Sequence, residues 1–156
     1  MSDKRPPVMT GGCQCCAVRY ALYAEPTEAS ICHCRMCQKA FGNYFAPLTG
    51  VGLPDLAWTR GEPGIFRSSD AVERGFCRDC GTPLFYRVLD QDRIAVSIGS
   101  LDEPNRTPPE IQYGIERKVP HVDGVLRLPG RSTTEDYAKT SRQHSDHDTE
   151  RWPPAR

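Results

Sequence analysis

The sequence predicts a mainly β protein, in which antiparallel sheets of short strands are held together by bound metal. Three observations support this fold class. The 156 residues include 14 prolines and 13 glycines and are only 38% hydrophobic, which favours many turns around a modest core. Several short segments alternate apolar and polar residues, as half-buried strands do. Eight cysteines are gathered in three short motifs, which suits metal crosslinks.

The first part of the chain contains the clearest local signals. Residues 1–10 carry charges and prolines, and we predict a flexible N-terminal arm there. Apolar side chains alternate in residues 17–23, which predicts a strand, and a second extended segment is predicted to end at Cys32. Arg35–Phe41 is predicted to form one or two short helical turns, with Gly42 ending the helix.

The remaining chain is predicted to be strands and turns, followed by a tail. Further strands are predicted at residues 44–47, 56–59 and 65–67, with turns at 50–54 and 61–64, and residues 72–76 lead into the Cys77 motif. Residues 84–89 and 93–98 have the spacing of a hairpin, and residues 111–125 are predicted to be strand or irregular. We therefore predict one folded domain at 11–129 and a disordered polar tail at 130–156.

Charge and composition restrict the classes of partner. Lysine plus arginine and aspartate plus glutamate number 20 each, so no basic excess favours nucleic acid as the main partner. The N-terminal residues lack the apolar core of a signal peptide, and no apolar run is long enough to cross a bilayer. We expect a soluble, cytoplasmic protein without a membrane partner; the oligomeric state stays open.

In the reducing cytoplasm, cysteines more often act as metal ligands or catalysts than form disulfides. The alternative is four disulfides in a secreted protein, which the even number of cysteines would also fit. Cys77 and Cys80, spaced by two residues and followed by Gly81, are typical of half a tetrahedral zinc site, although such a pair is also found in redox proteins. Cys13 and Cys15 would face the same way in an extended segment and can supply the other half.

Cys32, Cys34 and Cys37 form a group of three, which we call the trio. Three protein ligands with an open fourth position are typical of a catalytic zinc, so the trio is the candidate catalytic site. Three interpretations stay open at this stage. The open position binds an external thiol, Cys16 or a histidine closes it, or the three cysteines are reduced thiols without metal.

Several neighbours of these cysteines have predicted roles. In extended chain His33 and Cys16 would point away from the adjacent metal sites, so we expect a supporting or surface histidine and a small buried cysteine. Four cations lie near the cysteine motifs and would stabilise thiolate charge or hold a substrate carboxylate: Arg35, Lys39, Arg74 and Arg78. Of these, Lys39 and Arg74 are the predicted contacts to the bound small molecule.

Four segments together resemble one known family. GGCQCCAVRY, CHCRMCQKAFGNYFAP, RGFCRDCGTPLFY and IGSLDEP, in this order and spacing, are similar to the glutathione-dependent formaldehyde-activating enzymes, also called the centromere protein V family. The resemblance covers residues 11–125 and departs from the family at Cys16, where glycine is usual. It implies a β-tent of antiparallel sheets, a structural zinc and a second zinc. The implied ligands are Cys13, Cys15, Cys77 and Cys80 for the first, and Cys32, Cys34 and Cys37 for the second.

The resemblance also implies a function. Members of the family are carbon–sulfur lyases that act on S-(hydroxymethyl)glutathione, so the expected cofactor is Zn²⁺ and the expected partner is glutathione or a similar small thiol. The expected activity is that of a zinc-dependent lyase on this compound or a related thiol–aldehyde adduct. The alternative is a non-catalytic, zinc-stabilised module that binds a protein or nucleic acid.

Overall fold

The computed structural model describes residues 5–133, 142–143 and 145–146. In this part of the chain, ten strands form two sheets, and there are two short helices. The strands are β1 (Met9–Gly12), β2 (Arg19–Leu22), β3 (Thr27–Cys32), β4 (Ala46–Gly52), β5 (Leu56–Arg60), β6 (Gly64–Arg67), β7 (Val72–Phe76), β8 (Pro83–Val88), β9 (Arg93–Ser97) and β10 (Ile111–Tyr113). The helices are α1 (Arg35–Phe41) and α2 (Val122–Val125), and 3₁₀ turns lie at Leu53–Asp55, Ile98–Ser100, Pro104–Arg106 and Ile115–Arg117. The mainly β prediction is confirmed.

The smaller sheet is antiparallel, with strand order β1-β2-β5. Every residue of its central strand β2 is buried, and the ring of Tyr20 packs edge-on against Trp58 at a centroid distance of 5.7 Å. Tyr20 and Leu22 share one hydrophobic core with Leu84 and Val96 of the larger sheet. This core therefore joins the two sheets.

The larger sheet has seven strands in the order β10-β3-β4-β9-β8-β7-β6. The predicted hairpin is confirmed as β8 and β9, with Phe85 opposite Val96 and Tyr86 opposite Ala95. The prediction of antiparallel sheets holds for all these pairs except one, because β10 lies parallel to β3 at the edge. A strand that returns after a long connection is free to pair in either direction, and the local sequence carries no signal for this choice.

Three predicted boundaries differ from the structure. Met9 lies within the predicted arm but begins β1, where it pairs with Leu22 and is only 2% exposed. Residues 44–47 were expected as a strand and 50–54 as a turn, yet β4 continues from Ala46 to Gly52 because it pairs along its length with β9. Most of the predicted tail, and residues 1–4 of the arm, lie outside the described residues.

Helix α1 agrees with its predicted bounds. It ends at Gly42, whose φ of 57° is the left-handed conformation that glycine adopts without strain. No helix in the described ranges is both long and apolar enough to span a bilayer.

Candidate metal centres

The first cysteine cluster joins the two sheets. Cys13, Cys15, Cys77 and Cys80 place their four Sγ atoms within 4.8 Å of one another. The Sγ atoms of Cys13 and Cys15 are 3.6 Å apart, and those of Cys15 and Cys77 are 3.7 Å apart. Four sulfurs around a zinc ion at 2.3 Å would be separated by about 3.8 Å. The geometry therefore fits a tetrahedral zinc.

Backbone hydrogen bonds shape this cluster. The Cys77 N–H donates to the Thr82 carbonyl at 2.9 Å, and the Gly81 N–H donates to the Cys77 carbonyl at 2.9 Å. Gly81 has a φ of 79°, so the tight turn needs a residue that accepts the left-handed region. The Gln14 N–H donates to the Thr82 hydroxyl at 3.1 Å, which connects the two halves of the cluster.

The four thiols do not share one environment. Burial raises the pKa of Cys13 to about 12. Burial also acts to raise the pKa of Cys80, but hydrogen bonds from Thr82 outweigh it and lower that pKa to about 6. Without a cation, Cys13 would stay protonated at neutral pH while Cys80 ionised. A bound metal would supply the charge that the buried thiolate needs.

The second cluster is the trio, whose three Sγ atoms also lie within 4.8 Å of one another. Cys32 ends β3, Cys34 is the N-terminal cap of α1, and Cys37 lies one turn further along the helix. The Cys37 backbone N–H donates to the Cys34 Sγ at 3.4 Å. The end of β3 and the first turn of α1 therefore bring the three sulfur atoms to the same side of the chain.

Neither Cys16 nor His33 joins the trio. The His33 ring is only 1% exposed, its Nε2 lies 2.9 Å from the Gln112 side-chain oxygen, and it packs edge-on against Phe45. Cys16 is buried and its Sγ contacts the Arg60 guanidinium. Among the described residues, the cluster of metal-ligating side chains at this site contains three members.

The trio lies at a cavity of about 440 Å³ on one face of the larger sheet. This volume falls within the range of about 300–1,000 Å³ that is usual for small-molecule sites. Ser30 and Cys32 line it from alternate positions of β3, and Glu28 lines it from the start of the same strand. The other lining residues come from α1 and from neighbouring strands and turns: Cys34, Met36, Cys37, Leu48, Val72, Arg74, Tyr86, Gln91, Ala95 and Tyr113.

Arg74 lies against the trio and is only 6% exposed. Its Nη2 donates to the Cys37 Sγ at 3.4 Å, and its Nε donates to the Ser68 hydroxyl at 3.1 Å. The guanidinium carbon is 5.1 Å from the centroid of the Tyr86 ring, while Nη1 is buried without a hydrogen-bond partner among the described residues. The structure brings this predicted cation to the site. Lys39, by contrast, is exposed on α1 and does not line the cavity.

The trio thiols also differ in pKa. Burial raises the pKa of Cys37 to about 12 and raises that of Cys32. Burial acts in the same direction on Cys34, but the hydrogen bond from the Cys37 N–H, the neighbouring thiols and the charge of Arg74 lower its pKa below the usual value. The thiol at the helix start is thus the easiest of the three to ionise.

Two residues behind the trio were not found by sequence reasoning. The Gln38 side-chain amide donates to the His33 carbonyl at 2.7 Å and to the Arg117 carbonyl at 3.0 Å. Gly114 has a φ of 64°, and a Cβ there would lie 2.7 Å from the Cys34 nitrogen. These contacts hold the Cys32–Cys34 backbone against the segment that follows β10. Nothing in the sequence marks Gln38, whereas Gly114 was visible as an isolated glycine.

Three comparisons relate the chain to known proteins. Residues 8–117 match the family model described as glutathione-dependent formaldehyde-activating enzyme. An uncharacterized lyase of Schizosaccharomyces pombe is 30% identical over 80 residues, which are 51% of this chain and 58% of the relative. The match therefore spans little more than half the length of that relative. A crystal structure of a Rhodobacter sphaeroides protein shares the fold, with a TM-score of 0.54 and 24% identity, and covers 67% of this chain and 99% of that one.

Proposed function

Because the chain belongs to the glutathione-dependent formaldehyde-activating enzyme family, we propose that it is a zinc-dependent carbon–sulfur lyase. The proposed substrate is S-(hydroxymethyl)glutathione or a related thiol–aldehyde adduct. The observation that carries the proposal is the trio, three cysteine sulfurs gathered beside a cavity of about 440 Å³. A structural site would be expected to present four protein ligands, as the first cluster does.

The two clusters have separate proposed roles. Cys13, Cys15, Cys77 and Cys80 would hold a structural zinc, and Cys32, Cys34 and Cys37 would hold a second zinc. When bound, the second zinc would supply a Lewis acid that favours the thiolate form of a thiol beside it.

Arg74 is proposed to stabilise the negative charge of the sulfurs. Three thiolates around a divalent ion carry a net charge of −1, and a fourth thiolate would make it −2. The buried guanidinium donates to the Cys37 Sγ at 3.4 Å, and among the described residues its other hydrogen-bond and ring partners are the Ser68 hydroxyl and the Tyr86 ring. Since a hydroxyl and an aromatic ring leave its charge uncompensated, Arg74 favours an anionic sulfur at this end of the cavity.

The cavity would orient the adduct for cleavage of its carbon–sulfur bond. The electron pair of that bond goes to sulfur, the hydroxyl oxygen loses its proton to water, and the carbon–oxygen double bond of the aldehyde forms. Formation of the adduct is the reverse. The thiolate product is the species that Arg74 stabilises, and the cavity walls hold the aldehyde carbon near the sulfur that attacks it.

The proposal is tested by measuring the exchange between free formaldehyde and its glutathione adduct. Magnetisation-transfer NMR follows this exchange at equilibrium. The zinc-loaded protein should accelerate it over buffer, and Cys34→Ser should abolish the acceleration while leaving the fold intact. Exchange at the buffer rate with the wild-type protein would contradict the proposal and favour the non-catalytic binding module.

A further inference from the structure

Glu28 has a backbone conformation that is unusual for its residue type. Its φ is 56°, in the left-handed region that L side chains rarely adopt, and among the described residues only Cys16 shares this feature outside glycine. Strained backbone of this kind persists where the surrounding structure enforces it, often beside a functional site. The strained backbone is the first indication that the position of the Glu28 side chain has a functional role.

The strain coincides with a β-bulge. Along the β3–β4 pair, Thr27 faces Gly50 and Ser30 faces Leu48, so two residues of β3 stand opposite the single residue between Gly50 and Leu48. A bulge of this kind redirects the side chain of the extra residue. Here the result is that Glu28 lines the same cavity as Ser30 and Cys32.

The carboxylate of Glu28 is accessible and held in place. Its side chain is 74% exposed, and the Arg93 Nη2 lies 2.9 Å from its Oε2. The same Nη2 donates to the Thr27 hydroxyl at 3.1 Å. Arg93 reaches this position by crossing Gly50, where a Cβ would lie 2.5 Å from Nη2. Arg93 and Gly50 therefore fix the position of the Glu28 carboxylate beside the cavity.

The distance from Glu28 to the trio suits a peptide. Glu28 and Cys32 are four positions apart on β3, so at about 3.3 Å per residue the two Cα atoms are at most about 13 Å apart. A fully extended tripeptide spans about 10 Å. A thiol with its sulfur at the trio and its amino group near Glu28 would have the length of a short peptide.

Charge indicates which group is bound at this end. The ionisable lining residues other than cysteine and tyrosine are Glu28 and Arg74, and Arg74 contacts the Cys37 sulfur. Arg93 contacts the Oε2 of Glu28, and among the described residues its Oε1 has no hydrogen-bond partner, so this oxygen can accept from a ligand cation. We propose that Glu28 determines substrate specificity by binding the α-ammonium group of a peptide thiol whose sulfur lies at the trio. This inference rests on the proposed function and names the thiol class as one with a free amino terminus.

The test compares two thiols that differ only in the amino group. The formaldehyde adducts of glutathione and of N-acetylglutathione are assayed with wild-type protein and with Glu28→Gln. We expect the variant to raise KM for the glutathione adduct about tenfold, since a charged hydrogen bond is lost, and to leave KM for the acetylated adduct unchanged. Glu28→Asn, which tolerates left-handed backbone, should behave in the same way.

Glu25→Gln is the matched control. Glu25 is also an exposed acid paired with an arginine, with Arg106 at 2.8 Å, but it does not line the cavity. Its KM values should equal those of the wild type. Equal effects of Glu28→Gln on both thiols, or no effect on either, would overturn this inference while leaving the proposed function supported by wild-type turnover.

A binding measurement distinguishes the role of Glu28 in thiol binding from the proposed lyase activity. Should the wild type fail to turn over either adduct, equilibrium dialysis of the two free thiols with zinc-loaded protein decides the role of Glu28. Tighter binding of glutathione that is lost in Glu28→Gln would uphold that role without the lyase. Failure to bind either thiol would overturn both proposals.

Discussion

Cys16 and Glu28 are residues whose backbone is held in a strained conformation by the surrounding structure. Cys16 has a φ of 70°, in the left-handed region that glycine adopts without strain, so the surrounding chain holds the cysteine in a strained conformation. Cys16 is also buried, as expected for a small apolar side chain. Its sulfur contacts Arg60 rather than joining the first metal cluster.

The strain at Glu28 leads to a stability prediction. Glu28→Gly should be more stable than Glu28→Ala by about 1 kcal/mol, because both lose the Arg93 pair and only glycine relieves the positive φ. Urea unfolding of the two variants measures the difference. Ala29→Gly, at the adjacent residue without a positive φ, should instead lower stability. Equal stabilities of the two Glu28 variants would show that the strain is absent.

At the scale of elements, the trio depends on how β3, α1 and the segment after β10 meet. Gly114 allows that segment to pass close to the start of α1, where a Cβ would be 2.7 Å from the Cys34 nitrogen. The Gln38 side chain bridges from α1 to the same segment through the Arg117 carbonyl, at 3.0 Å. The position of the CxC turn is therefore set by parts of the chain about 80 residues apart in sequence.

Gly114→Ala should displace the trio without unfolding the protein. The added methyl group meets backbone atoms that cannot move independently, so we expect zinc per chain to fall from about two towards one after dialysis, measured by plasma mass spectrometry. Gly42→Ala is the matched control. Its φ of 57° is similar, yet nothing lies within 4 Å of the added atom, so it should keep both metals. Loss of metal in both variants would implicate backbone strain instead of the contact.

Elements with local signals were predictable, and elements set by distant contacts were not. Helix α1 was foreseen because Gly42 marks its end, and the β8–β9 hairpin because its two strands lie close together in sequence. The parallel pairing of β10 and the start of β1 at Met9 depend on partners far along the chain. For the same reason the bulge at Glu28 carries no sequence signal.

For the whole molecule, the two cysteine clusters have different proposed roles, one structural and one catalytic. The seven cysteines were singled out as candidate ligands from their spacing and the expected compartment, and the structure gathers them into the two expected groups. The residues that surround the second group, such as Gln38 and Arg74, come from separate elements. Their proximity to the sulfurs could be seen only in the folded structure, because they are distant from one another in sequence.

Removing one ligand from each cluster should have different consequences. Cys77→Ser breaks the cluster that joins the two sheets, and since a structural zinc is worth about 10–16 kcal/mol against a domain stability of about 5–15 kcal/mol, the variant should not fold. Cys34→Ser affects only the cavity end and should leave a folded protein. Circular dichroism and soluble yield measure both effects, and an equal loss of folding in the two variants would contradict this division.

The most direct test of the central claim is X-ray absorption at the zinc edge, recorded with and without glutathione. With a four-sulfur site and a three-sulfur site in each chain, the average should be about 3.5 sulfur neighbours per zinc without the thiol and about 4 with it. Cys34→Ser should not show the increase to four. An average of four sulfurs before the thiol is added, or no change after it, would contradict an open metal position at the trio.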